Sequence, residues 1–88
     1  MGRVRRSSRI AFRTIDGEAA IVTVDDRKLH MLNQVGTVIF ETAAAPTSLE
    51  DLATAVAAEF EVAPDRAGVD CRTFCDELVK RKILEWAD

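Results

Sequence analysis

Eighty-eight residues, 48% hydrophobic and 31% charged, make one globular domain. A chain of that size buries only about 60% of its unfolded surface, which allows a single core and leaves little room for an enclosed active site. Of the twelve basic residues, Arg3, Arg5, Arg6 and Arg9 come first, so the remaining eight face all fifteen acidic residues and the body carries −7. An acidic body repels the phosphate backbone that supplies most nucleic-acid affinity. No apolar run approaches the roughly 20 residues of a membrane span, and the basic N-terminus lacks the apolar stretch of a signal peptide. A cytoplasmic protein with no membrane partner is therefore expected.

In chain order, residues 1–8 read as a basic, flexible arm and residues 9–88 as the folded domain. Arg9 to Ile15 alternates apolar and polar positions as a half-buried strand does. Asp16-Gly17 follows, a strong short hairpin signal, and Glu18 to Val24 is its β-branched partner strand. Asp25-Asp26 reads as a second tight turn. Arg27 to Leu32 alternates again, with Lys28, His30 and Leu32 on one face and Arg27, Leu29 and Met31 on the other. Asn33 is placed to cap a first helix whose inner face carries Val35, Gly36, Ile39, Phe40 and Ala43. Pro46 breaks that helix, and Thr47 with Glu50 three residues on predicts a capping box for a second. Leu49, Leu52, Ala53, Val56, Ala57 and Phe60 then fall on one helical face. Pro64 opens a third helix, whose stripe includes Cys71, Phe74, Cys75, Leu78 and Val79. Ile83 to Trp86 is an apolar tail expected to fold back on the core. Strands first and helices after predict an α+β domain, a three-stranded antiparallel sheet followed by three helices in a winged helix-turn-helix-like arrangement.

The residues of catalysis are missing. His30 is the only histidine and has no cysteine as its sequence neighbour. Ser7 and Ser8 lack a partner base. Cys71 and Cys75 lie one helical turn apart and continue the apolar stripe, so they read as core; with one histidine elsewhere they are too few for a closed zinc site. No glycine-rich phosphate loop is present. The expectation is a non-enzyme without cofactor or metal. What remains is an edge. In a three-stranded meander the outer strands expose unpaired N–H and C=O groups that an extended peptide can complete.

The segment His30 to Glu41, HMLNQVGTVIFE, resembles the central motif of the PqqD-like family, in which a strand ends in Leu-Asn before a Gly and a hydrophobic pair with an aromatic. Leu32, Asn33, Gly36, Ile39 and Phe40 occupy those places. Thr47 to Val62 is similar to the family's second helix and Val69 to Glu85 to its last, so the resemblance spans Phe12 to Glu85. Phe40 stands where relatives often have Trp, Leu29 where many have an aromatic, and Cys71 and Cys75 replace aliphatics. The basic arm has no family counterpart.

The resemblance implies a recognition element for ribosomally synthesised, post-translationally modified peptides (RiPPs). The leader of a precursor peptide would add as a strand to the third strand, beside the third helix. The module would then present it to a modifying enzyme, often a radical SAM enzyme. The expected contacts are Arg27, Lys28, Leu29, His30 and Met31 on the strand, and Val69, Asp70, Arg72, Thr73 and Asp76 on the helix. Two other readings stand beside this one. One is a winged-helix nucleic-acid-binding protein using the arginine arm, disfavoured by the acidic body. The other is a structural module in which two edges pair as a homodimer. The identities of peptide, enzyme and product are not encoded in this chain.

Overall fold

The computed structural model describes residues 2–87. Six strands and three helices alternate as β1 (Arg3–Arg6), β2 (Ile10–Ile15), β3 (Glu18–Thr23), β4 (Lys28–Met31), α1 (Gln34–Thr42), β5 (Thr47–Ser48), α2 (Leu49–Phe60), α3 (Pro64–Lys80) and β6 (Leu84–Trp86). They form two antiparallel three-stranded sheets, β2-β3-β4 and β5-β1-β6, with the three helices packed between and beside them. The expected α+β domain is thus observed, with a second small sheet added.

That second sheet corrects the reading of residues 1–8 as a flexible arm from Gly2 onward, Met1 lying outside the described residues. Arg3–Arg6 is its middle strand, bonded to β5 on one side and β6 on the other. Val4 is fully buried, while Arg3 and Arg5 face solvent, which is the period of two of a half-buried strand. Arg6 turns inward as well. Its guanidinium lies 4.7 Å from the centroid of Phe12 and 4.4 Å from that of Phe40, and its Nε donates to the Phe40 carbonyl at 2.9 Å. The two rings meet edge to face at 4.9 Å. A cation against two π faces and a carbonyl thereby ties the second sheet to the first sheet and to α1. The C-terminal tail folds back as expected, with Ile83 and Leu84 buried and Leu84–Trp86 paired to β1.

Between β2 and β3 the turn is as expected, with Asp16 and Gly17 both at positive φ (52° and 80°). Between β3 and β4 it is longer than expected. The last ladder pair is Thr23 with Lys28, which leaves Val24 to Arg27 as the loop and Arg27 at φ 54°. Arg27 therefore belongs to the turn and not to the strand. One residue is lost from each strand, so the register is unchanged and no side chain changes face.

Asn33 caps α1, accepting from the Gly36 N–H at 2.8 Å. At α2 the expected box is replaced: Ser48 is the cap, accepting from Asp51 N–H at 3.0 Å, while the Thr47 hydroxyl is turned back to the Ala45 carbonyl at 2.7 Å and the Thr42 carbonyl at 3.0 Å. Pro64 occupies the first turn of α3. The core gathers Val4, Ile21, Leu32, Ile39, Phe40, Leu52, Val56, Leu78, Ile83 and Leu84 with both cysteines. Burial pushes the Cys75 thiol up to about 12, so both cysteines behave as small apolar side chains.

Candidate functional site

β4 pairs only with β3, so its other side is an edge. The register says which backbone groups face that edge. Leu32 N–H donates to Ala19 carbonyl at 2.9 Å, and Val24 N–H on the far side of β3 donates to Arg9 carbonyl at 3.0 Å. Backbone groups alternate sides along a strand. Lys28, His30 and Leu32 therefore turn their N–H and C=O toward β3, and Leu29 and Met31 turn theirs outward. Those two side chains are 65% and 58% exposed. The edge is held at both ends. At one end, Thr37 Oγ1 accepts the Ala19 N–H at 2.9 Å and fixes α1 to the sheet. At the other, the buried Thr23 hydroxyl donates to Asp26, whose carboxylate also accepts the Lys28 N–H at 3.3 Å. Thr23 has one hydroxyl proton and gives it to Asp26, so His30 Nε2, 3.1 Å away, serves as donor to Thr23 Oγ1. His30 is thus half-buried and engaged on the inner side of β4.

α3 lies beside the end of this edge. A Cβ built on Gly36 would sit 3.4 Å from both Leu32 Cβ and Asn33 Oδ1 and 3.6 Å from Phe74 Cε1. Phe74 therefore packs on the junction of β4 and α1, where only a small residue allows its close approach. At about 100° per residue, Asp70 and Glu77 lie within about 60° of Phe74 on the helix surface, whereas Val69, Arg72 and Asp76 lie about 140–160° away. Asp70 is half-buried and paired to Arg66 at 3.3 Å.

The residues expected on α3 are accordingly not all brought together. Asp70 is on the β4 side. Val69, Arg72 and Thr73 instead line a groove of about 790 Å³ with Leu49, Ala53 and Ala57 of α2. Arg72 is paired with Asp76 at 3.3 Å and lies 5.7 Å from the Trp86 ring. On the strand, Lys28, Leu29, His30 and Met31 form β4, and Arg27 lies in the turn before it. Sequence reasoning did not single out Phe74 or Thr37. Phe74 was absorbed into the core stripe, and nothing in a sequence marks a mid-helix Thr as the acceptor of a strand N–H eighteen residues earlier. Among the described residues no group of three His, Cys, Asp or Glu could hold a metal ion, and no helix is long and apolar enough to cross a membrane.

The chain superposes over nearly its full length on the solved structure of TbiB1 in complex with the TbiA(beta) leader peptide. The TM-score is 0.85 at 25% sequence identity, and the match covers 96% of this chain and 99% of that one. A comparison with curated protein sequences gave no match. The family model described as coenzyme PQQ synthesis protein D matches residues 18–84, from the start of β3 through α3 to the first residue of β6. That span contains the β4 edge, the Leu-Asn-x-x-Gly junction and all three helices, and on it the chain belongs to the PqqD family.

Proposed function

We propose that this protein is a non-catalytic recognition element that captures the leader of a ribosomally made precursor peptide by strand addition at β4 and hands it to a modifying enzyme. The observation that carries the reading is the open edge at Leu29 and Met31, running into a junction floored by Leu32, Gly36 and Phe74. Backbone pairing with the outward groups of Leu29 and Met31 supplies affinity, and side chains along the strand supply selection. TbiB1 has this fold and is seen with a leader peptide. In this reading β4 from Lys28 to Met31 is the pairing strand, Arg27 flanks it, and Asp70 stands over the peptide with Phe74. Val69, Arg72, Thr73 and Asp76 are turned away from it by the phase of α3. The partner is a peptide-modifying enzyme, such as the radical SAM enzymes that the family resemblance implies.

The nucleic-acid alternative loses its motive in the same structure. Arg5 is paired with Glu85 and Arg9 with Asp25, while Arg6 lies between two rings. These side chains are occupied, and they sit on strand and loop rather than on a mobile arm.

The test is calorimetric titration with the leader of the precursor encoded beside this gene. Met31→Pro removes an outward donor, and its ring obstructs an incoming strand at an edge position that tolerates proline. Affinity is expected to fall at least tenfold, the equivalent of about 1.4 kcal/mol or one lost hydrogen bond. Unchanged affinity in a folded variant would sink the edge model.

A further inference from the structure

Antiparallel sheets covered on one side alternate apolar-in with polar-out. β2-β3-β4 does not. Its inner face packs on the core through Ala19, Ile21 and Thr23. By the register, its outer face carries the rows Ala11, Val22, Leu29 and Arg13, Ala20, Met31, with Ile15 beside Glu18 at the end. Val24 lies on the same side. Of the seven large hydrophobic residues exposed among the described residues, five are here: Ile15 at 51%, Val22 at 40%, Val24 at 46%, Leu29 at 65% and Met31 at 58%. β3 thus reads as a strand buried on both faces, but the fold covers only one. A clustered apolar patch on a small domain marks a partner surface.

We infer that this outer face is the docking surface for the enzyme that modifies the captured peptide, an inference that rests on leader capture at β4. Two observations select this occupant. The first is continuity: Leu29 and Met31 belong both to the face and to the edge, so a peptide strand added at β4 extends the face by one row and shows its outward side chains to the same partner. The second is size. Three strands about 4.8 Å apart and about 20 Å long give a footprint of about 300 Å², well below the roughly 800 Å² per partner of a stable interface. The bare face is too small to hold two copies of this chain together; a loaded peptide row enlarges it to about 400 Å², and the remaining contacts of the enzyme fall on the peptide itself. The enzyme therefore binds the loaded module more tightly than the empty one. Its contacting surface is apolar, with a carboxylate to meet Arg13, which stands within the face and makes no ion pair among the described residues.

The experiment reconstitutes modification with the precursor and the enzyme encoded together with this chain. Ile15→Lys/Val22→Lys changes the face away from the β4 edge, and Val22→Thr is a milder variant that keeps the β-branched shape. Leader affinity is expected to stay at the wild-type value in both. The module concentration that half-saturates modification is expected to rise at least tenfold in the double variant and about threefold in Val22→Thr. Half-saturation unchanged in both variants overturns the assignment. So does sedimentation of the unloaded wild-type chain as a dimer that the double variant dissociates, since the face would then belong to a second copy. Failure of the wild-type chain to bind leader is read in the titration alone and rejects the capture reading instead.

Discussion

The two sheets have the same number of strands and opposite ways of ending. In β5-β1-β6 the outer strands are two and three residues long, and the central strand is bonded on both sides. Edges that short offer little to another chain, which is one way proteins avoid edge-to-edge association. In β2-β3-β4 the outer strands are six and four residues long, and β4 presents two outward backbone pairs flanked by exposed Leu29 and Met31. One sheet closes the molecule on itself through Val4, Arg6 and the C-terminal strand. The other is left incomplete at its edge and on its outer face. In the proposed reading, structural duty and recognition are divided between the sheets.

The largest effect should come from removing the closed sheet's centre. Deleting residues 2–8 strips the partner of both β5 and β6, uncovers Leu84, and takes the Arg6 guanidinium from Phe12 and Phe40. The deletion is expected to abolish the cooperative thermal transition followed by circular dichroism. A flexible arm could be cut without loss, so a melt unchanged by the deletion would erase the distinction between the sheets.

The open sheet can be tested against itself, because it has two edges. In β2 the outward backbone groups are those of Ile10, Phe12 and Thr14, since Ala11 and Arg13 bond to β3. Thr14→Pro therefore removes an edge donor of the same kind as Met31→Pro, but on the strand farther from α3. Leader affinity is expected to remain within about twofold of wild type in Thr14→Pro while Met31→Pro loses tenfold or more, the equivalent of about 1.4 kcal/mol. Equal losses would mean that the peptide does not distinguish the edges.

How far this division can be read from the sequence depends on the range of the interactions. The first hairpin, the Asn33 cap, Pro64 and the helical stripes are local signals, and the structure keeps them. β1 is different. Its only inward apolar residue is Val4, its pairing partners are two and three residues long, and one of them lies eighty positions away in the chain. No periodicity window reaches that far, so RVRR reads as charge. Ser48 takes the place of Thr47 as cap because the Thr47 hydroxyl turns back to the Thr42 and Ala45 carbonyls, a choice the local pattern does not show. At the site, period two placed Leu29 and Met31 together correctly. The phase of α3 toward β4 could not be read, because Val69, Arg72 and Asp76 are as polar or exposed in sequence pattern as Asp70; only the packing of Phe74 on Gly36 fixes it.

Gly68 offers a smaller change that separates the α2–α3 groove from the β4 site. It lies within α3 and lines that groove, and a Cβ there would meet nothing within 4 Å. Gly68→Ala is expected to raise stability by about 1 kcal/mol, the helix-interior cost of glycine, in denaturant melts. Leader affinity should not change, since the groove is on the far side of α3 from Phe74. A clear loss of affinity would bring Val69, Arg72 and Thr73 back into the peptide site.

The smallest effect concerns the turn that starts β4. The Thr23 hydroxyl holds the Asp26 carboxyl below the usual carboxylate range, against an opposing effect of desolvation, and the Lys28 N–H adds to the lowering. Because the folded group is the stronger acid, its contribution is complete above the unfolded value of about 3.9 and is lost as pH falls through the folded value. Asp26→Asn keeps an acceptor oxygen but carries no charge, so it should melt slightly below wild type at neutral pH. The gap should close as the medium is acidified below about pH 4. Asp25 is depressed as well, chiefly through its hydrogen bond from Arg9, and the neighbouring Asp26 charge opposes that lowering, so Asp26→Asn leaves Asp25 a somewhat stronger acid while its pairing with Arg9 is kept in both proteins. A gap that persisted unchanged at low pH would mean that the Asp26 charge does not hold the turn. In that case the start of the open edge would rest on the Thr23–Lys28 ladder pair alone.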